Sequence, residues 1–206
     1  MTIQVPTDLN DITVDQYQRY MAANVEGAEE DFLMFKTIEI FCDVDMKAVS
    51  QFPLSQAQDL YRDIILALDQ TPTFRPFFTH DGVDYGFMPD MESMSIGEYI
   101  DLESGLSDSK DLHKAAAVMF RPIKKRKGNY YTIADYKASN EEGKNARSFP
   151  MGVVSSAVVF FYSIAKELLL VSRHYSRIEQ IEKDSKTIAL ELSLLRNGAG
   201  ISPSTH

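Results

Sequence analysis

Tryptophan is absent from this chain of 206 residues, and cysteine occurs once, as Cys42. A single cysteine excludes a disulfide framework within the chain and makes a reducing compartment the simplest setting. Its neighbours Ile38, Ile40 and Phe41 point to an inert, buried thiol. Long hydrophobic runs are also missing. The best membrane candidate, residues 151–171, stays uncharged for about 15 residues, stops at Ala165 and is then broken by Lys166 and Glu167. A membrane span needs roughly 20 apolar residues, so a buried helix is expected there. Residues 1–9 carry neither a basic n-region nor an apolar h-region, and no signal peptide is expected. The ten glycines are scattered, which leaves no phosphate-cradling loop, and Gly198-Ala199-Gly200 follows a helical pattern instead of opening one.

What is present is an ordinary globular composition, 44% hydrophobic and 25% charged, with an uneven charge distribution. Residues 1–103 hold 20 acidic against 5 basic side chains, and residues 104–206 hold 10 against 16. Halves of opposite sign suit a protein that meets partners through two different faces.

Helix-start signals punctuate the first half. Thr13-Val14-Asp15-Gln16 is a capping box opening a helix with Tyr17, Tyr20 and Met21. Residues 29–42 repeat Phe32, Phe35, Ile38 and Cys42 at helical spacing, with Leu33 and Ile40 widening the stripe. Asp45 caps a short helix through Val49, and Ser55-Gln56-Ala57-Gln58 reads as a second capping box, for a helix ending before Pro72. Asp81-Gly82 between extended aromatic segments predicts a hairpin over residues 74–88. Ser95-Ile96-Gly97-Glu98 is a third box, ahead of Tyr99, Ile100 and Leu102, and a helix from Leu112 is expected to stop at Pro122. Residues 123–136 predict a second hairpin turning at Lys127-Gly128-Asn129, followed by a polar loop with a helical turn over 139–149.

The last third differs. Between Val153 and Asn197 there is neither proline nor glycine. A helix that long would run about 67 Å, with a bend expected near Ser172–Ser176. Ile178, Ile181, Ser185, Ile188, Leu192 and Leu195 form a coiled-coil stripe along it. The expected fold is therefore α+β and predominantly α-helical. It comprises an acidic helical domain over 1–150 with one or two small β-hairpins, a long C-terminal helix or helix pair over 151–197, and a loose tail over 198–206.

Catalytic constellations are sparse. The chain has four histidines and no nucleophile elbow. His80 at a hairpin turn and His113 beside Asp111 are expected to be solvated, His174 falls on the long helix, and His206 ends the chain. Asp43/Asp45 and His80/Asp81/Asp84 lack further ligands at motif spacing, and capping and turn chemistry explain both. No catalytic residue, cofactor or metal is expected. An enzyme would require His80, His113 and Asp81 to converge in one cleft.

Binding residues are easier to nominate. Arg121, Lys124, Lys125, Arg126 and Lys127 form a cationic stretch beside Tyr130, Tyr131 and Tyr136. It can be a solvated loop or a contact for an acidic protein surface, including the acidic half of another copy. Nucleic acid is disfavoured by the acidic remainder of the chain. Ile181, Ile188, Leu192 and Leu195 are the candidate partner seam, packing either internally or against another helix.

Several segments in order resemble a family of mostly helical proteins from the structural modules of tailed bacteriophages, the tail assembly chaperones. They are Val5-Pro6-Thr7-Asp8-Leu9, Ile12-Thr13 with Gln16-Tyr17, Ile40-Phe41-Cys42-Asp43-Val44, Tyr85-Gly86-Phe87-Met88-Pro89-Asp90 and Gly97-Glu98-Tyr99-Ile100-Asp101-Leu102. Ala117-Val118-Met119-Phe120-Arg121-Pro122-Ile123, Tyr131-Thr132-Ile133 and Phe160-Phe161-Tyr162 before Lys166-Glu167-Leu168-Leu169 complete the set. The resemblance implies a non-enzymatic protein that binds a tail or tape-measure protein in the host cytoplasm. It brings no catalytic or ligand residue with it. The seam lies beyond it and keeps open a structural subunit of the virion, a possible homo-oligomer assembling through its oppositely charged halves.

Overall fold

The computed structural model describes residues 3–91, 93–137, 140–164 and 166. The chain divides into two units, Met1–Phe160 and Phe161–His206. In the second unit the described residues, 161–164 and 166, are helical. The predicted bend, the seam residues Ile178 through Leu195, His174, His206 and the tail all lie outside the described residues, as does most of the predicted C-terminal helix.

The first unit is α+β and mostly helical. A short 3-10 turn, Leu9–Asp11, leads into α1 (Val14–Ala23). Thr13 Oγ1 accepts from the Gln16 backbone N–H while the Gln16 side chain accepts from the Thr13 N–H, so the predicted capping box is formed. α2 (Glu30–Cys42) ends where Asp43 adopts a left-handed conformation, φ 50°. α3 (Met46–Val49) is capped by Asp45 as expected.

Two helical details depart from the sequence pattern. In α2 the buried residues are Met34, Thr37, Ile38, Ile40, Phe41 and Cys42, so Ile38, Ile40 and Cys42 of the predicted stripe are inside while Phe32 is exposed; Thr37 enters the core by donating its hydroxyl to the Leu33 carbonyl at 2.7 Å. α4 (Leu54–Leu68) starts after Pro53 with no side-chain cap, which leaves Ser55 inside the first turn. The extended backbone of Pro53, φ −53° and ψ 137°, already sets the helix entry.

The predicted hairpins are β1 (Phe77–His80) with β2 (Val83–Phe87), and β3 (Phe120–Lys127) with β4 (Tyr130–Ile133). Asp81 and Gly82 both take positive φ at the first turn, and Gly128 does at the second. The hairpins join into one antiparallel sheet, in order β1-β2-β3-β4, through Tyr85↔Pro122, Gly86↔Arg121 and Phe87↔Phe120. The β2–β3 connection contains α5 (Ile96–Ser107), whose Ser95/Glu98 box is formed, and α6 (Leu112–Met119). α6 ends at Met119, and Pro122 lies inside β3 instead of in a loop after a helix. The residue before a proline is driven out of the α region, so Arg121 must already be extended.

One sheet face is aromatic. Phe78, Tyr85 and Phe120 all lie within about 6 Å, ring to ring, of Phe149 or of one another, and Phe87 bridges to Phe74 and Phe160. After α7 (Asn140–Ala146), a helix from residue 151 runs to the end of this unit; Met151, Val153, Val154 and Ala157 are buried, but Val159 is exposed, so the expected buried helix is buried over its first turns only. Its start is tied to that of α1. Met151 N–H donates to Ile12, Val14 N–H to Phe149 and Asp15 N–H to Arg147, at 2.7 to 3.0 Å. Among the described residues no helix is long and apolar enough to cross a membrane.

Candidate functional site

The cationic stretch occupies β3, and strand geometry separates its members. Arg121 points to the face opposite the aromatic cluster and meets Glu98 of α5 at 2.7 Å, with side chains 12% and 10% exposed. Arg121 is therefore a buried structural cation and does not belong to the exposed contact predicted from sequence. Burial acts to raise the Glu98 carboxyl, but bonds from the Ser95 backbone and hydroxyl, together with the Arg121 charge, outweigh it and hold the carboxyl below its ordinary range. The Arg121 Nε remains without a hydrogen-bond partner.

Beyond the β-bulge between Ile123 and Lys125 the strand is exposed. Lys124 pairs with Asp135 at 2.8 Å. The Arg126 guanidinium stacks 3.6 Å from the Phe77 ring centroid and its Nε donates to the Gly128 carbonyl. Lys125 and Lys127 make no ion pair among the described residues. Cross-strand pairing sets Lys127 beside Tyr130 and Lys125 beside Thr132, on the ribbon face opposite Arg126 and Tyr131. Tyr130 is 86% exposed. The hairpin thus presents one face of two uncompensated ammonium groups and an open phenol ring.

Its rigidity comes from Tyr131, whose hydroxyl donates within reach of the Phe87 carbonyl at 2.7 Å and of Pro76 at 3.1 Å. The ring lies across Gly86, where a Cβ would come within 2.5 Å of it. Only a glycine on β2 lets the hairpin lie this close.

A second exposed surface escapes the sequence reading. On α5 the buried positions are Glu98, Leu102 and Gly105, which turns Ile96, Tyr99 and Ile100 outward, at 81%, 52% and 55% exposure. The sequence names Tyr99, Ile100 and Leu102 together on this helix, and of the three only Leu102 is buried. The available signal was small: Gly105 permits a close approach to α6, where its Cβ would meet the Ala115 nitrogen at 2.6 Å, so the helix packs on its glycine side. Exposed Glu103 continues the stripe one turn on, with no ion pair among the described residues.

The histidines also depart from expectation. His113 is buried, with the Gln18 side-chain amide 3.1 Å from Nδ1 and the Arg147 guanidinium 3.3 Å from Nε2. Arg147 in turn reaches Asp15 at 3.1 Å. Burial, with the Arg147 and Lys114 charges, pushes the His113 pKa down. Asp15 and Gln18 lie one turn apart on α1, a spacing that sets both on one helix face. His80 is largely packed against Phe149, and its Nε2 lies 2.8 Å from the Ser148 hydroxyl and 3.4 Å from the Asp81 carboxylate. That is no catalytic relay, because both partners meet the same ring nitrogen and the Ser148 hydroxyl donates to the Asn145 carbonyl. His80 and His113 share no recorded contact among the described residues. Cys42 is buried as expected, its thiol pushed up to about 11 by desolvation. No cluster of three His, Cys, Asp or Glu with metal-binding geometry occurs among the described residues.

The chain matches no family model, no curated protein and no solved structure.

Proposed function

We propose that this protein is a non-enzymatic bacteriophage assembly factor, a tail assembly chaperone that holds a tail or tape-measure protein in the host cytoplasm. The observation that carries the reading is the braced hairpin with Lys125, Lys127 and Tyr130 uncompensated on one face of a strongly acidic chain. A surface of that kind engages an acidic, partly apolar protein segment, with charge setting the encounter rate and the ring supplying contact area. Within the phage-like segments Phe87, Met88, Val118, Met119 and Phe120 are all buried, so those segments build the core and the hairpin supplies the proposed contact.

A specific observation also favours the second reading, a structural subunit of the virion. The exposed apolar stripe of α5 is the kind of surface that a subunit buries against a neighbour. Tagged protein recovered from infected cells separates these readings. Co-purification of a tail or tape-measure protein, with this chain absent from finished particles by mass spectrometry, supports the chaperone. Presence at fixed stoichiometry in the particle supports the subunit. Recovery without any phage structural protein overturns both. Reversing Lys124, Lys125 and Lys127 to Glu is expected to weaken client binding and flatten its salt dependence; unchanged affinity at low salt contradicts the hairpin's role.

A further inference from the structure

The two exposed surfaces of the first unit complement each other, and one molecule cannot bring its own pair together. The hairpin is anchored to α5 at its base, through Arg121 and Glu98. Lys127 lies six residues further along β3, about 20 Å at roughly 3.3 Å per residue. Tyr131 pins that ribbon to the sheet through the Pro76 and Phe87 carbonyls, so the tip cannot fold back onto α5.

We propose that the hairpin face of one copy docks on the outer face of α5 of a second copy, head to tail. The Tyr130 ring would lie on Ile96, Tyr99 and Ile100, and Lys125 and Lys127 would face Glu103 and the neighbouring Asp101. Glu103 is exposed and makes no ion pair among the described residues; Asp101 already accepts a hydrogen bond from the Tyr136 hydroxyl. Each surface supplies what the other lacks, cations and an aromatic ring against carboxylates and an aliphatic floor. A hairpin-to-helix contact uses different patches on the two partners, so it is heterologous and propagates as an open chain or closes as a ring. It is a property of this chain alone and stands whether or not a tail protein is the client.

The test uses the purified full chain and two variants altered only at exposed positions. One is Lys125→Glu/Lys127→Glu and the other Tyr99→Ser/Ile100→Ser, each first checked for an unchanged far-ultraviolet spectrum and melting profile. At about 50 mM salt the wild type is expected to associate and each variant to remain monomeric. Mixed in equal amounts, the variants should form a one-to-one complex, since one keeps an intact hairpin and the other an intact helix face. Glu103→Lys should weaken wild-type association roughly tenfold, and combining it with the hairpin reversal should restore part of the loss. A monomeric wild type overturns the proposal, as does a mixture that stays monomeric. Undiminished association of either variant overturns it too, because that indicates a symmetric contact or a different surface. Because no client enters the experiment, its failure leaves the chaperone reading to its own test in infected cells.

Discussion

Arg121 and Glu98 show how far a residue's role can lie from its neighbours in sequence. Adjacent to Lys124–Lys127 in the chain, Arg121 is turned by strand alternation into a buried ion pair with α5. Removing one member of such a pair leaves the other charge buried alone. Arg121→Ala is therefore expected to cost about 3–5 kcal/mol in urea unfolding. The double variant Arg121→Met/Glu98→Gln, which keeps a cap acceptor at position 98, should recover much of that; a single-variant loss below about 1 kcal/mol would contradict the assignment. His113 makes a different prediction. Its folded pKa lies below the ordinary imidazole value of 6.5, so the unfolded chain binds the extra proton more readily. Its contribution is complete above that value and is lost as pH falls from 6.5 toward the folded pKa. The melting temperature of the wild type should drop more between pH 7.5 and 5 than that of His113→Gln, which has nothing to titrate there. Parallel profiles would show that His113 does not set the acid sensitivity. Neither role was legible from sequence, since each depends on a partner from a distant element: Arg147 for His113, and Glu98 for Arg121.

Elements were more legible than residues wherever local chemistry decides. The Thr13 and Ser95 capping boxes, the Asp45 cap and both glycine turns form as the sequence predicts, because each needs atoms only within a few residues. Ser55 had the same pattern, but Pro53 already fixes the helix entry and makes the box redundant. The orientation of α5 was hidden for a different reason: a glycine, a leucine and a salt-bridged glutamate form its inner face, so the more hydrophobic stripe is the exposed one. Gly105 is the element's critical position. Alanine gains about 1 kcal/mol of helix propensity there. However, its Cβ would meet the Ala115 backbone nitrogen at 2.6 Å, and a backbone atom in a packed helix yields little. Gly105→Ala should therefore destabilise the protein by a net of roughly 1–2 kcal/mol in denaturant titration. A stabilised variant would show that the α5–α6 contact is looser than this packing implies.

At the scale of the whole molecule, the fold class could be read from the sequence and the assembly of the sheet could not. Two hairpins separated by a helical insertion do not announce that they share a sheet; the pairing of Phe87 with Phe120 closes across residues 88–119 and has no local signal. The charge split was visible at once, yet its meaning depends on which charges the fold neutralises. Arg121 and Lys124 are paired, Arg126 stacks on Phe77, and Lys125 and Lys127 make no ion pair among the described residues. Client binding is tested in infected cells; what the purified chain can test directly is whether this remaining charge, with Tyr130, makes a contact between copies that salt dissolves. Light scattering of the purified chain after size exclusion, at about 50 mM and about 500 mM salt, tests it most directly, because the Debye length falls severalfold between those conditions. A mass above the 23.3 kDa of one chain is expected at low salt, falling toward 23.3 kDa at high salt. A mass of 23.3 kDa at both salts, at every concentration tried, would contradict it.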